Sequence, residues 1–158
     1  MTPSSSHRIG LISDTHGLLR AGVHDALAGV EMILHAGDVG GSEILAELAL
    51  IAPVHAVAGN TDIPGEYDPE FVVTVGGRTI HVSHGHEVGS PTPAKLAARY
   101  PQDVIVYGHT HQQLVTRVGE RLIVNPGAAG AQRFRLKPSV AILSIAGGLL
   151  DVEIIALG

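Results

Sequence analysis

Apolar residues fall in short runs separated by small polar clusters along the whole chain. Residues 9–13 are apolar and rich in branched side chains, which predicts a buried strand. Residues 18–27 repeat their apolar positions at helical spacing and run up to Gly29, a predicted C-terminal cap. A second strand is predicted at 32–36. Ser42 is the predicted N-cap of a helix over 43–51, and 53–58 reads as a third strand. This β-α-β-α-β order predicts a parallel sheet with helices packed on it.

The second half has a different rhythm. Residues 71–75 and 79–83 flank Gly76-Gly77, the pattern of a tight hairpin. Thr92-Pro93 opens a predicted helix over 92–100, followed by a strand at 104–107. Residues 114–118 and 122–124 flank Gly119, and 140–145 and 150–155 flank Gly147-Gly148, giving two more hairpins. The whole predicts an α/β chain of two packed sheets with helices outside. No repeat or linker divides it, so residues 1–158 are read as one domain.

The polar clusters are not random. Five predicted strands end in Ser13-Asp14-Thr15-His16, His35-Ala36-Gly37-Asp38, Gly59-Asn60-Thr61-Asp62, Ser83-His84-Gly85-His86 and Gly108-His109-Thr110-His111. Ligands of α/β sheets bind at the carboxyl ends of strands, where residues distant in sequence converge. Carboxylates, imidazoles and one carboxamide without sulfur suit manganese, iron, zinc or nickel. Asp14 and His16 stand two apart, so an extended backbone would put them on one side, and the same holds for His109 and His111. Seven such groups exceed the needs of one tetrahedral ion. They suit two ions sharing a bridging carboxylate, about 3.5–4 Å apart, the arrangement for in-line attack at phosphorus.

Composition narrows the alternatives. The chain has 158 residues, 45% hydrophobic and 16% charged, which excludes a disordered chain. A net charge of −5 argues against a general binder of nucleic acid or membrane surfaces. Aromatic residues are too few, at 3%, for a base-stacking platform. The absence of cysteine excludes a disulfide framework, a thiolate zinc site and a cysteine nucleophile, and fits a reducing, cytoplasmic setting. No apolar run reaches the roughly 18 residues of a membrane span, and residues 1–6 lack the features of a signal peptide.

In order, Asp14-Thr15-His16, Gly37-Asp38, Gly59-Asn60, His84 and Gly108-His109-Thr110-His111 resemble the calcineurin-like metallophosphoesterase family. The short length, Ser83-His84-Gly85-His86 and Asn125-Pro126-Gly127 are similar to its small YfcE-like phosphodiesterase branch. The resemblance implies a four-layer αββα sandwich of two mixed β-sheets flanked by helices. It implies two divalent metal ions, manganese first among them, with nickel, iron, zinc or cobalt as alternatives. Asp14, His16, Asp38 and His111 would hold one ion, and Asp38, Asn60, His84 and His109 the other. A hydroxide bridging the ions would attack phosphorus in a small phosphodiester or, less favoured, a phosphomonoester. His86 would sit near the substrate phosphate, and Arg133 would clamp it through its planar fork.

The sequence departs from many relatives at Thr61, where a histidine follows the metal-binding Asn and can protonate the leaving group. That leaves the acid open between His86, a water and no acid at all. Asp62 is expected to orient a metal-ligating histidine, and His35 to lie behind the ligands. Competing readings are a protein-interaction scaffold of the same fold with little or no activity, a nuclease, and a metal-storage or sensing protein. The full ligand set speaks against the scaffold. Low positive charge speaks against long nucleic acid. The resemblance also points to assembly of identical copies.

Overall fold

A computed structural model describes residues 6–132 and 135–157. The first sheet holds β1 (Ser6–Ile12), β2 (Met32–His35), β3 (Val54–Ala56), β9 (Ser139–Ala146) and β10 (Leu149–Ala156), in the order β10-β9-β1-β2-β3. β1, β2 and β3 run parallel, and β9 and β10 are antiparallel to their neighbours. The second sheet holds β4 (Glu70–Val75), β5 (Arg78–Ser83), β6 (Val104–Val106), β7 (Leu114–Val118) and β8 (Arg121–Asn125), in the order β4-β5-β6-β8-β7. Here β5, β6 and β8 are parallel, with antiparallel β4 and β7 at the edges.

Alternation along β1 shows how the layers form. Ile9 and Leu11 join Leu34, Val82, Val106, Val124 and Leu143 in a core between the sheets. Ile12 turns the other way and packs with Val23 of α1 (Gly22–Ala26) and Ile44 and Leu48 of α2 (Ser42–Leu48). On the far side, Leu96 and Ala97 of α3 (Pro93–Arg99) cover Ile105 and Ile123 of the second sheet. The central strands are buried on both faces, which is why they read as unbroken apolar runs. The architecture is the expected sandwich of two mixed sheets flanked by helices.

The first two helices differ from expectation at their boundaries, and the second ends at Leu48 rather than at 51. The first helix begins at Gly22 rather than at 18; residues 18–21 form the approach, with Leu18 exposed. Ser42 is the first helical residue rather than the cap. Gly41 takes the cap position at φ 131°, a conformation serine disfavours, and no side chain caps the helix. Among the described residues no helix is long and apolar enough to cross a membrane.

Backbone contacts gather the loops that follow β1, β2, β5 and β6. The Asp14 amide donates to Gly37 O at 3.0 Å, and the His16 amide to Asp38 O at 2.9 Å. The Gly108 amide donates to His84 O at 3.0 Å. The two sheets meet where His84, after β5, donates from Nδ1 to Ala36 O, after β2, at 2.8 Å.

Candidate metal centre

All seven expected ligands lie in one cluster at this rim. His111 Nε2 is 3.4 Å from Asp14 Oδ1 and 3.4 Å from His16 Nε2. Asp38 Oδ2 lies between His84 Nε2 at 3.2 Å and His16 Nε2 at 3.6 Å. His109 Nδ1 continues the line, 3.3 Å from His84 Nε2 and 3.2 Å from Asn60 Oδ1. Donor atoms of Asp14, His16 and His111 all lie within 4.8 Å of one another, and so do those of Asp14, Asp38 and His84. Two donors each about 2.1 Å from one ion stand about 3–3.4 Å apart, so this spacing is close to coordination geometry.

The backbone that holds these side chains is unusual. Asp14, His16, Asp38, His109 and His111 have φ between 47° and 71°, and they are the only non-glycine residues with positive φ among those described. The extended geometry expected for the Asp14/His16 and His109/His111 pairs is therefore replaced by left-handed residues. Such conformations cost free energy and collect at functional sites. Glycines let the chains come close. A Cβ at Gly59 would overlap Asp38 Oδ1, and one at Gly108 would overlap Ser13 Oγ and Asp14 Oδ2.

Asp14 is almost fully buried. Its Oδ2 accepts from the Ser13 hydroxyl at 2.6 Å and the His109 amide at 3.2 Å. Its Oδ1 is buried without a hydrogen-bond partner. Burial alone would raise its carboxyl. The adjacent His111 imidazole, the charge of His84 and the Ser13 hydroxyl outweigh it, so Asp14 titrates below the ordinary carboxylate range. Burial is likewise overcome at Asp38, held well below that range by His84 and the Thr61 amide at 2.9 Å. His84 is driven up despite its burial, by Asp38 and Asp14. Two ionised, buried carboxylates thus create a demand for positive charge that a protonated imidazole meets only in part. An orphaned oxygen among imidazoles, with no sulfur nearby, fits a divalent ion of the borderline kind.

The sequence profile of the calcineurin-like phosphoesterase superfamily domain matches residues 8–148. The chain belongs to that superfamily. It is 37% identical to a probable metallophosphoesterase of Methanothermobacter thermautotrophicus, covering 95% of this chain and 92% of the relative. A Methanocaldococcus jannaschii protein named a phosphodiesterase is 29% identical, over 76% of this chain and 82% of its own length. Among solved structures, vacuolar protein sorting 29 from Cryptosporidium parvum superposes with a TM-score of 0.80 at 23% identity, covering 95% of this chain and 97% of that one. The last likeness concerns the fold alone. Membership of this family implies divalent metal binding, and the donor cluster offers groups that could hold an ion.

Around the phosphoesterase donor cluster, the other expected residues take distinct places. His86 begins a single 3-10 turn (His86–Val88) and is exposed, its ring 5.4 Å from that of His84 and 6.2 Å from that of His109. Asp62, expected to orient a metal-ligating histidine, makes no hydrogen bond to a histidine among the described residues. Its carboxylate accepts the amides of Val39 at 3.0 Å, Gly40 at 3.2 Å and Gly59 at 2.8 Å, so it ties the Asp38 loop to the Asn60 loop. Arg133 lies outside the described residues.

Three supporting residues had no role assigned from the sequence. Ser13 orients the Asp14 carboxylate. Thr15, between two ligands, contacts His35. Asn125 donates to Gly108 O at 3.1 Å and Thr110 Oγ1 at 3.0 Å and accepts from Gly127 N at 2.9 Å, which braces the His109–His111 loop. In the sequence, Asn125 stood only as part of the Asn125-Pro126-Gly127 resemblance, a polar residue ending an apolar strand with no role attached.

Proposed function

We propose that this chain is a binuclear metal-dependent phosphoesterase that favours phosphodiesters. The observation that supports it best is Asp14 Oδ1, buried without a partner and 3.4–3.8 Å from the Nε2 atoms of His111, His16 and His84. Asp14, His16, Asp38 and His111 would hold one ion, and Asp38, Asn60, His84 and His109 the other, with manganese the first choice. Two such ions supply an activated water and neutralise charge on a phosphoryl group during in-line displacement.

The chain's own groups prepare that chemistry. His84 donates its Nδ1 proton to Ala36 O, so Nε2 faces the cluster and would offer its lone pair once a metal replaces the proton there. The Ser13 hydroxyl and the His109 amide occupy Asp14 Oδ2 and leave Oδ1 free. The Thr61 amide does the same for Asp38, taking Oδ1 and leaving Oδ2 between His84 and His16. His86, exposed beside the cluster, contacts the substrate phosphate. Thr61 offers no proton of suitable acidity, so the leaving group departs largely on its own. The relative named a phosphodiesterase supports the preference for diesters.

The test is a screen of purified protein against nitrophenyl phosphodiesters and phosphomonoesters with manganese, nickel, cobalt, zinc or iron, alongside elemental analysis. The expected result is metal-dependent turnover, faster for diesters, with two ions per chain. A soluble, folded protein that retains one ion or none refutes the binuclear site. Two bound ions without turnover of any ester would favour the scaffold reading.

A further inference from the structure

A groove of about 400 Å³ leads away from the donor cluster, lined by Ala58, Asn60, Pro64, Tyr67, Pro69 and His86 among others. It shares Asn60 with the cluster and His86 with the expected phosphate contact. Apart from those two and Asp62, its lining is apolar or aromatic. Asp62 presents little free charge to it, since three backbone amides take up the carboxylate. The volume is within the range of about 300–1,000 Å³ typical of small-molecule pockets.

The walls are built in advance. The Asp62 clamp holds one end of the 61–69 loop. Glu66 N donates to Ile63 O at 3.0 Å within it, and Ala58 N donates to Asp68 O at 2.8 Å across its base. Val57 and Asp68 form an isolated parallel bridge. On the other side of His86 lies a smaller hollow of about 220 Å³ lined by Glu70, Glu87, Arg99 and Tyr100. That one is charged, so the two sides of His86 differ in the ligand groups they accept.

We propose that the groove between Tyr67 and His86 is an ester-arm subsite, taking an uncharged aromatic or heteroaromatic ring one atom removed from the phosphorus. The inference rests on the phosphoesterase reading of the donor cluster. A phosphoryl group at the cluster directs one arm past Asn60. Tyr67 and His86 line its path with aromatic rings, and Pro64 and Pro69 with rigid apolar ones. The lining holds no charge to pair with a second anionic group, so the substrates selected are aryl-type esters rather than phosphorylated sugars.

Calorimetric titration of manganese-loaded protein with methylphosphonate and benzylphosphonate separates the two readings. In benzylphosphonate a methylene replaces the ester oxygen. Methylphosphonate binding that chelation abolishes reports the phosphate site alone, whereas the ratio of the two affinities reports the groove. Benzylphosphonate should bind about tenfold more tightly, the increment expected for burying one ring. The ratio should fall below about three in Tyr67→Ala and stay near the wild-type value in Tyr67→Phe. Tyr67→Leu keeps apolar bulk while removing the ring, and should also lose most of the preference if Tyr67→Ala proves unstable. Equal affinities in the wild type, or a ratio unchanged by Tyr67→Leu, would overturn the subsite while leaving the phosphoesterase intact. Failure of both phosphonates to bind would overturn both.

Discussion

The Thr15 hydroxyl lies 3.0 Å from His35 Nε2 and 2.7 Å from the Val39 carbonyl. A carbonyl can only accept, so the hydroxyl proton goes to Val39 and the threonine oxygen receives the Nε2 proton of His35. That leaves His35 Nδ1 bare, and it accepts the Gly37 amide at 3.1 Å. One chain of three hydrogen bonds therefore sets the tautomer of His35 and joins the Asp14–His16 loop to the Gly37–Asp38 loop. Thr15→Val should weaken metal binding by about 10–100-fold, the range seen when groups behind metal ligands are lost. Thr15→Ser should restore it. Metal titration calorimetry checks this, and wild-type affinity in Thr15→Val would show that the chain of bonds does not govern the ligands.

His35 is fully buried, and burial pushes its pKa down from 6.5 to about 4. The unfolded chain therefore binds a proton that the folded one refuses. Its contribution to stability is complete above pH 6.5 and is lost as pH falls toward 4, amounting to about 3 kcal/mol. Asp14 and Asp38, held low, add losses of the same sign at lower pH, while raised His84 acts in the opposite sense. In chelator-treated protein, His35→Phe should flatten the slope of unfolding free energy between pH 6.5 and 4, whatever its overall stability. Parallel slopes in wild type and variant would contradict the assignment.

Much of this was legible in the chain. Gly76-Gly77 and Gly147-Gly148 announced hairpins, and all four glycines have the positive φ that such turns require. The ligand clusters stood at strand ends because that is where buried apolar runs stop. The backbone at those ends was not legible. Alternation suggested an extended Asp14-Thr15-His16, but backbone contacts with the Gly37–Val39 loop hold Asp14 and His16 left-handed. Nor did local pattern reveal that β9 lies beside β1, since that pairing joins residues more than a hundred positions apart. Asp62 looked like a partner for a histidine because its own loop hid the three amides that claim it.

Asp38 should be the most sensitive ligand. Its Oδ2 stands between His84 and His16, so its loss touches both halves of the cluster. Asp38→Ala should lower kcat/KM further than His111→Ala or Asn60→Ala. His24 pairs with exposed Glu47, and His55 stacks on Phe71; alanine at either should leave activity near wild type. Equal residual activity in the three ligand variants would argue against a shared carboxylate.

The left-handed residues carry a cost that glycine escapes. At φ 63°, His111 sits where a Cβ costs about 1–2 kcal/mol. Both His111→Gly and His111→Ala remove the imidazole and should be poorly active. In metal-free protein the glycine variant should nevertheless unfold at higher denaturant, by about 1 kcal/mol relative to alanine. Coincident unfolding curves would show that the conformation is not strained.

On the proposed function, the lack of an acid at Thr61 dictates the response to leaving groups. An acid at this place would contribute about 10²–10⁴-fold. Without it, nitrophenyl esters should react much faster than alkyl esters, with a steep dependence of log rate on leaving-group pKa. Thr61→His should help poor leaving groups most and flatten that slope. A shallow slope in wild type that His86→Ala makes steep would instead identify His86 as the acid.

Asp14, His16, Asp38 and Asn60 follow strands of the first sheet, while His84, His109 and His111 follow strands of the second. Whatever joins the two groups acts as a clasp across the sandwich. Metal occupancy and the closeness of the two layers then belong to a single equilibrium. Val106 and Leu11, in the core between the layers and not among the ligands, help set how far apart the halves of the clasp stand. A metal held by the clasp would therefore respond to the whole interlayer packing, and trimming a methyl group in the middle of the protein should loosen the grip at its rim.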